Sequence, residues 1–205
     1  MRTLTLVNSV CTYLGTKQEH WLRNEVGMSG VLQHDDWRTD LTSVLPDFFC
    51  RPGRAACPIE CGPGWAMVVD RLCVRIAAAM EDRERFRFES IGSCDGALRI
   101  RWAGRLSAAS EAAVRAAIDL AEARSMCVCE TCGARGKRFR ADGVLAASCP
   151  DHADGVPAFS AAMENVHLIQ VTIKGRLRVV VGARYDFDTD AFVEIDDVAA
   201  LRREA

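Results

Sequence analysis

The chain has 205 residues, 49% of them hydrophobic and 26% charged, with a net charge of −2 and a pI near 6.1. That composition suits one or two globular domains and excludes a disordered chain. The near-neutral charge excludes a global basic field, so any grip on nucleic acid must come from a local patch.

The opening stretch "MRTLTLVNSVCTYLG" turns polar at "TKQEH" and does not read as a secretory leader. No apolar run approaches the roughly 20 residues that span a bilayer. The expectation is a cytoplasmic chain with reduced thiols, in which ten cysteines read as metal ligands before disulfides. Arginine outnumbers lysine 23 to 3, a skew that favours bidentate contacts.

Residues 1–56 read as an irregular N-terminal segment. "TLVNSVC" fits a strand or the start of a helix, and "SVLPDFFCRPGRAACP" is an irregular connection with two phenylalanine anchors. "CGPGW" (61–65) is a turn that opens a helix over "AMVVDRLCVRIAAAMEDRERF". Trp65, Val69, Leu72, Ile76 and Met80 recur there at spacings of three and four and form one apolar face. The period then changes. Phe86 and Phe88, then Leu98, Ile100 and Trp102, alternate with arginines around the turn signal "SCDG". The pattern predicts a β-hairpin with one buried face and one arginine-rich face. "SAASEAAVRAAIDLAEARS" is a second helix, with Ser107 or Ser110 as N-cap and Val114, Ala117, Ile118 and Ala121 facing inward. Beyond the linker "DGVPAFS", "VHLIQVTIKGRLRVVVGARYDFDTDAFVEID" predicts two or three strands turning at "KG" and "DTD". Residues 186–205 hold seven acids against two arginines.

Between the second helix and these strands lies "CETCGARGKRFRADGVLAASCPDH" (129–152). Cys129, Cys132, Cys149 and His152 form a C-x2-C-x16-C-x2-H pattern. Each short pair supplies two ligands from one tight turn, and the segment between lets the turns face each other around a tetrahedral ion. Gly133 lets the first turn bend so that backbone N–H groups point at thiolate sulfur. Three thiolates and an imidazole favour Zn²⁺ over magnesium or calcium. Four protein ligands also close the shell, whereas a catalytic zinc keeps one position open for water. One structural zinc is therefore the expected cofactor. Cys127, two residues upstream, is the competitor for a ligand position, with C-x2-C the better bite. Arg135, Lys137, Arg138 and Arg140 in the intervening loop are the candidates for contact with a partner or with nucleic acid. Glu130, Asp142, Asp151 and the thiolate-bound zinc bring the module close to neutral.

Cys50, Cys57 and Cys61 are spaced poorly for a second metal and read as buried or loop thiols. Asp151-His152 followed by Asn165 and His167 follows the Asp-His…Asn…His order of HNH-type nucleases. A metal-dependent HNH-like nuclease is thus the alternative function. Two features weigh against it: His152 is committed by its cysteine neighbour, and Asn165 and His167 are too close for the helix that normally separates such residues. His20 and His34 read as ordinary histidines, and Trp65 and Trp102 as core anchors.

Several stretches together resemble a group of uncharacterised zinc-ribbon proteins of bacteria and their phages. They are "CGPGW" (61–65), "ESIGSCDGALRIRW" (89–102), "AEARS" (121–125), "CETCGARG" (129–136) and "CPDH" (149–152). The hairpin departs from the group by a longer "GSCDG" connection. The resemblance implies zinc and a phage or mobile-element setting, without a reaction. The expected architecture is α+β: two helices packed on a small antiparallel sheet (57–126), a zinc ribbon (127–155) and a C-terminal β extension with an acidic tail (156–205). The expected function is a non-catalytic, zinc-stabilised interaction protein that binds a protein partner or, weakly, nucleic acid, with no membrane association.

Overall fold

A computed structural model describes residues 37–49, 56–161, 163–173 and 177–195. The expectations for "TLVNSVC", His20, His34, Cys50, the "KG" turn and the end of the acidic tail lie outside the described residues.

Where an irregular connection was expected, two short helices form: α1 (Trp37–Val44) and α2 (Pro46–Phe49). Pro46 opens α2, where its missing N–H costs nothing. Phe48 and Phe49 on α2 are the aromatic anchors foreseen from the sequence. They meet Phe86 and Phe88 at centroid distances of 5.3 and 5.1 Å respectively, edge-on or tilted as ring quadrupoles prefer.

The main sheet joins β1 (Ile59–Glu60), β2 (Arg85–Cys94) and β3 (Ala97–Arg105) in that order. The β2–β3 hairpin is antiparallel, as its alternation predicts, but β1 pairs with β2 in parallel, so the sheet is mixed. Arg38 on α1 holds β1 by donating to the carbonyls of Ile59 and Cys61. The "GSCDG" connection, read as longer than usual, closes through Asp95 and Gly96 alone. Both have positive φ, 55° and 65°, the geometry of a two-residue hairpin turn that matches strand twist.

A single 3-10 turn (Pro63–Trp65) leads into α3 (Ala66–Ala79). Val69, Leu72 and Ile76 are buried on it, as expected. The helix stops at Ala79, earlier than the apolar pattern suggests, because Met80 is already extended. Helix α4 (Ala108–Ser125) lies against α3 and β3. Ser107 is its N-cap, accepting from the Ser110 N–H at 3.2 Å, and Val114, Ala117, Ile118 and Ala121 are buried. At the other end of α4, the Ser125 hydroxyl accepts the Leu98 N–H at 2.8 Å, which ties the helix to the edge of β3.

Two further sheets follow. β4 (Lys137–Ala141) pairs with β5 (Val144–Ser148) and β6 (Val156–Pro157). The linker "DGVPAFS" thus contributes an edge strand. β7 (Val166–Ile173), β8 (Leu177–Asp186) and β9 (Ala191–Glu194) form an antiparallel meander. Tyr185 of β8 packs with Ala123 and Cys127 from the end of α4, beside Phe187 and Phe192. Asp190, in the turn before β9, takes Arg71 and Arg75 of α3 at 2.9 and 2.7 Å and Arg124 of α4 at 3.4 Å. The acidic run is therefore in part a structural turn. Among the described residues, no helix is long and apolar enough to cross a membrane.

Candidate metal centre

Helix α4 runs into the Cys/His segment through Met126, and the first ligand turn is built by backbone bonds. The Cys129 N–H donates to the Ala134 carbonyl at 2.8 Å, and the Gly133 N–H to the Cys129 carbonyl at 2.9 Å. Gly133 takes the left-handed conformation, φ 78°, as its place after the second cysteine predicts. The second turn is closed by the His152 N–H on the Cys149 carbonyl at 3.1 Å.

These two turns bring Cys129, Cys132, Cys149 and His152 together, with one ligand atom from each within 4.8 Å of all the others. Cys132 Sγ and Cys149 Sγ are 3.7 Å apart; His152 Nδ1 is 3.7 Å from Cys129 Sγ and 3.2 Å from Cys149 Sγ. Around a tetrahedral zinc with ordinary bond lengths, two sulfurs stand about 3.75 Å apart and sulfur and nitrogen about 3.5 Å. The cluster can hold a metal ion in a closed shell, with His152 ligating through Nδ1. Cys129 and Cys149 are buried, whereas Cys132 and His152 are exposed. Burial pushes the Cys129 thiol up, but N–H groups of Cys149, Cys132 and Thr131 aimed at the sulfur outweigh it and bring the thiol down to about 6. The site thus favours a thiolate, the form that binds metal.

Cys127 does not compete for a ligand position. Its sulfur lies outside the four-donor cluster, donating to Asn165 Oδ1 at 3.1 Å, and burial raises its thiol to about 11. Of the upstream cysteines, Cys57 and Cys61 are raised by burial to about 11 and about 12, and Cys73 is raised by the same cause. None of them joins a metal-type cluster among the described residues.

The first ligand turn does not stand alone. The turn "CGPGW" lies directly on it. The Gly64 N–H donates to the Glu130 carbonyl at 2.8 Å, and the Gly62 N–H to Glu130 Oε1 at 2.9 Å. Glu130 Oε2 accepts from the Ser93 hydroxyl at 2.8 Å. Trp65, fully buried, donates its indole N–H to the Val128 carbonyl at 2.9 Å. A Cβ at Gly64 would stand 2.1 Å from the Cys129 carbonyl oxygen and 2.5 Å from the Gly133 nitrogen, so only glycine permits this approach. Gly62, Gly64, Glu130 and Ser93 thus support the first ligand turn, and none carries a ligand-type signal in the sequence, because their partners lie on other elements.

The segment between the ligand pairs is mostly a hairpin rather than a loop. Asp142 and Gly143, with φ of 49° and 83°, make a second two-residue turn between β4 and β5. The basic residues are accordingly dispersed. Arg135 pairs with Asp188 at 3.0 Å and lies 4.7 Å over Phe187. Lys137 stands 5.7 Å over Phe139 and Arg138 4.2 Å over Phe159. Arg140 is exposed. Lys137 falls on one face of β4, with Arg138 and Arg140 on the other. His167 stacks edge-on against Phe192 at 5.6 Å, and burial lowers its basicity, to about 4. Asn165 is engaged by Cys127.

No family model, curated protein or solved structure matches the chain.

Proposed function

We propose that the chain is a non-catalytic interaction protein whose fold is stapled by one structural zinc on Cys129, Cys132, Cys149 and His152. The observation that carries this reading is the mutual spacing of the four donors, which matches the edges of a tetrahedral zinc shell with no protein-free position. Bound zinc supplies cross-linking of two turns that are too short and polar to hold each other. Cys129 and Cys132 bind from the turn that "CGPGW" buttresses, and Cys149 and His152 bind from the turn after β5. The segment between them is then free to serve as a surface, and the phage or mobile-element setting of the resembling group is consistent with a protein that acts by contact.

Elemental analysis of the purified full chain tests the reading. One zinc per chain is expected, lost from the Cys129→Ser/Cys132→Ser variant. Strong chelators should unfold the ribbon, because the binding energy of a structural zinc is folding energy. Full metal retention by the double variant, or a folded ribbon after complete chelation, overturns it.

A further inference from the structure

The β2–β3 hairpin presents a surface that the metal centre does not use. Arg85 and Arg87 on β2, and Arg99, Arg101 and Arg105 on β3, fall on one face by strand alternation and register. Residues two apart on a strand are about 6.7 Å apart, so Arg85 and Arg87 on β2 and Arg99 and Arg101 on β3 are successive on the face, with Ala103 between Arg101 and Arg105. Arg85 and Arg105 are directly opposed across the ladder. Like charges placed so destabilise a sheet, and an anion between them would relieve that repulsion.

Two carboxylates temper the stripe: Glu89 pairs with Arg87 at 3.8 Å and Glu122 with Arg99 at 3.3 Å. Glu84 turns away to accept the backbone N–H groups of Ser107 and Glu81. Among the described residues, Arg85 donates only to the neighbouring Glu84 carbonyl. Arg101 and Arg105 are exposed and, among the described residues, meet no carboxylate.

The surroundings decide the partner. None of the exposed large hydrophobic residues lies on β2 or β3, so the face lacks the apolar centre of a protein–protein interface. It is polar and positive, as nucleic-acid interfaces are. It also offers no exposed aromatic ring: Phe86 and Phe88 are buried, and Trp102 stacks on Phe86 at 5.4 Å beneath Arg115. Single strands are held by base stacking, which this face cannot supply.

We infer that the arginine face of the β2–β3 hairpin is a docking surface for the phosphate backbone of duplex DNA, bound without regard to sequence. The inference rests on the reading of the chain as an interaction protein, and not on the metal.

Fluorescence anisotropy of a labelled 20-bp mixed-sequence DNA duplex, titrated with the full chain, tests it. Arg85, Arg101 and Arg105 neutralising one phosphate each gives a slope of about −2.7 in log affinity against log salt, roughly a 40-fold loss between 50 and 200 mM. The triple variant Arg85→Gln/Arg101→Gln/Arg105→Gln should bind at least tenfold more weakly at 50 mM, with a nearly flat salt dependence. Arg71→Gln, on α3 and paired with Asp190, should change neither. If the triple variant fails to fold, Arg101→Gln alone should still reduce the slope by about 0.9. The inference is overturned by absent binding, by a triple variant that binds as the parent does, or by loss of binding in Arg71→Gln. Equal affinity for the single strand, for an RNA duplex, or for polyglutamate also overturns it. Zinc measured on the same samples separates the two readings: duplex binding by a zinc-free chain removes the staple and leaves this face in place.

Discussion

Replacing Gly64 by alanine tests the coupling between "CGPGW" and the metal centre. The new Cβ would stand 2.1 Å from the Cys129 carbonyl oxygen, 2.5 Å from the Gly133 nitrogen and 2.7 Å from the Glu130 carbonyl oxygen. All three are backbone atoms, so no side chain can swing aside, and the two turns must separate. Overpacking of this kind costs about 1–3 kcal/mol. Separation also stretches the Gly64–Glu130 and Trp65–Val128 hydrogen bonds, and an orphaned buried donor costs about 1–3 kcal/mol more. The expected destabilisation is about 2–6 kcal/mol at saturating zinc. If about 3 kcal/mol of it is felt by the ligand turn, zinc affinity falls roughly 100-fold. Urea denaturation and competition with a chromogenic chelator read the two effects. Gly92→Ala is the control, since its Cβ would meet nothing closer than 3.8 Å. A Gly64→Ala protein that unfolds at the parent's midpoint with undiminished zinc affinity would refute the coupling.

Other expectations follow from the same geometry. Cys127→Ala should keep the full complement of metal, because its sulfur faces Asn165, and should cost about 1–2 kcal/mol through a small cavity; loss of metal in atomic absorption would contradict the ligand assignment. Glu130→Ala removes acceptors from the Gly62 N–H and the Ser93 hydroxyl and should destabilise by about 1–3 kcal/mol in thermal melts. Burial alone would raise the pKa of Asp190, but the Tyr185 hydroxyl and Arg71, Arg75 and Arg124 bring it down to about 2. A folded value below the unfolded one gives stability that is complete above about pH 5 and lost as pH falls toward 2, worth about 2 kcal/mol here. Asp190→Asn should therefore lower stability at pH 7 and narrow its gap to the parent below pH 4. Metal loss in acid is common to both proteins and cancels in the comparison, so a gap independent of pH would contradict the charged role of Asp190.

The clamp gives the fold an order of dependence. Helix α4 delivers Cys129 from one side, while "CGPGW" presses the same turn from the start of α3. The metal is therefore expected to stabilise the junction of two helices as well as the ribbon. The meander adds a separate tie through Asp190, so loss of metal should leave the contact between α3 and the last strands in place.

Much of this architecture is legible in local sequence because local forces make it. The helical period of α3 and α4, the N-cap at Ser107, the alternation of β2 and β3 and the spacing of Cys129, Cys132, Cys149 and His152 are each set within a few residues. The second hairpin was equally legible: Asp142-Gly143 between "RFRA" and "VLAAS" is the same turn signal as Asp95-Gly96. Tertiary structure alone decided the rest. The approach of Gly64 to Cys129 joins residues 65 positions apart, and no periodicity encodes a contact whose partner lies on another element. The fates of Cys127, Arg135 and Arg138 were settled likewise, by which neighbours the folded chain offered them: Asn165, Asp188, Phe187 and Phe159. Spacing determines which side chains can meet within one turn, and packing between elements determines which of them do.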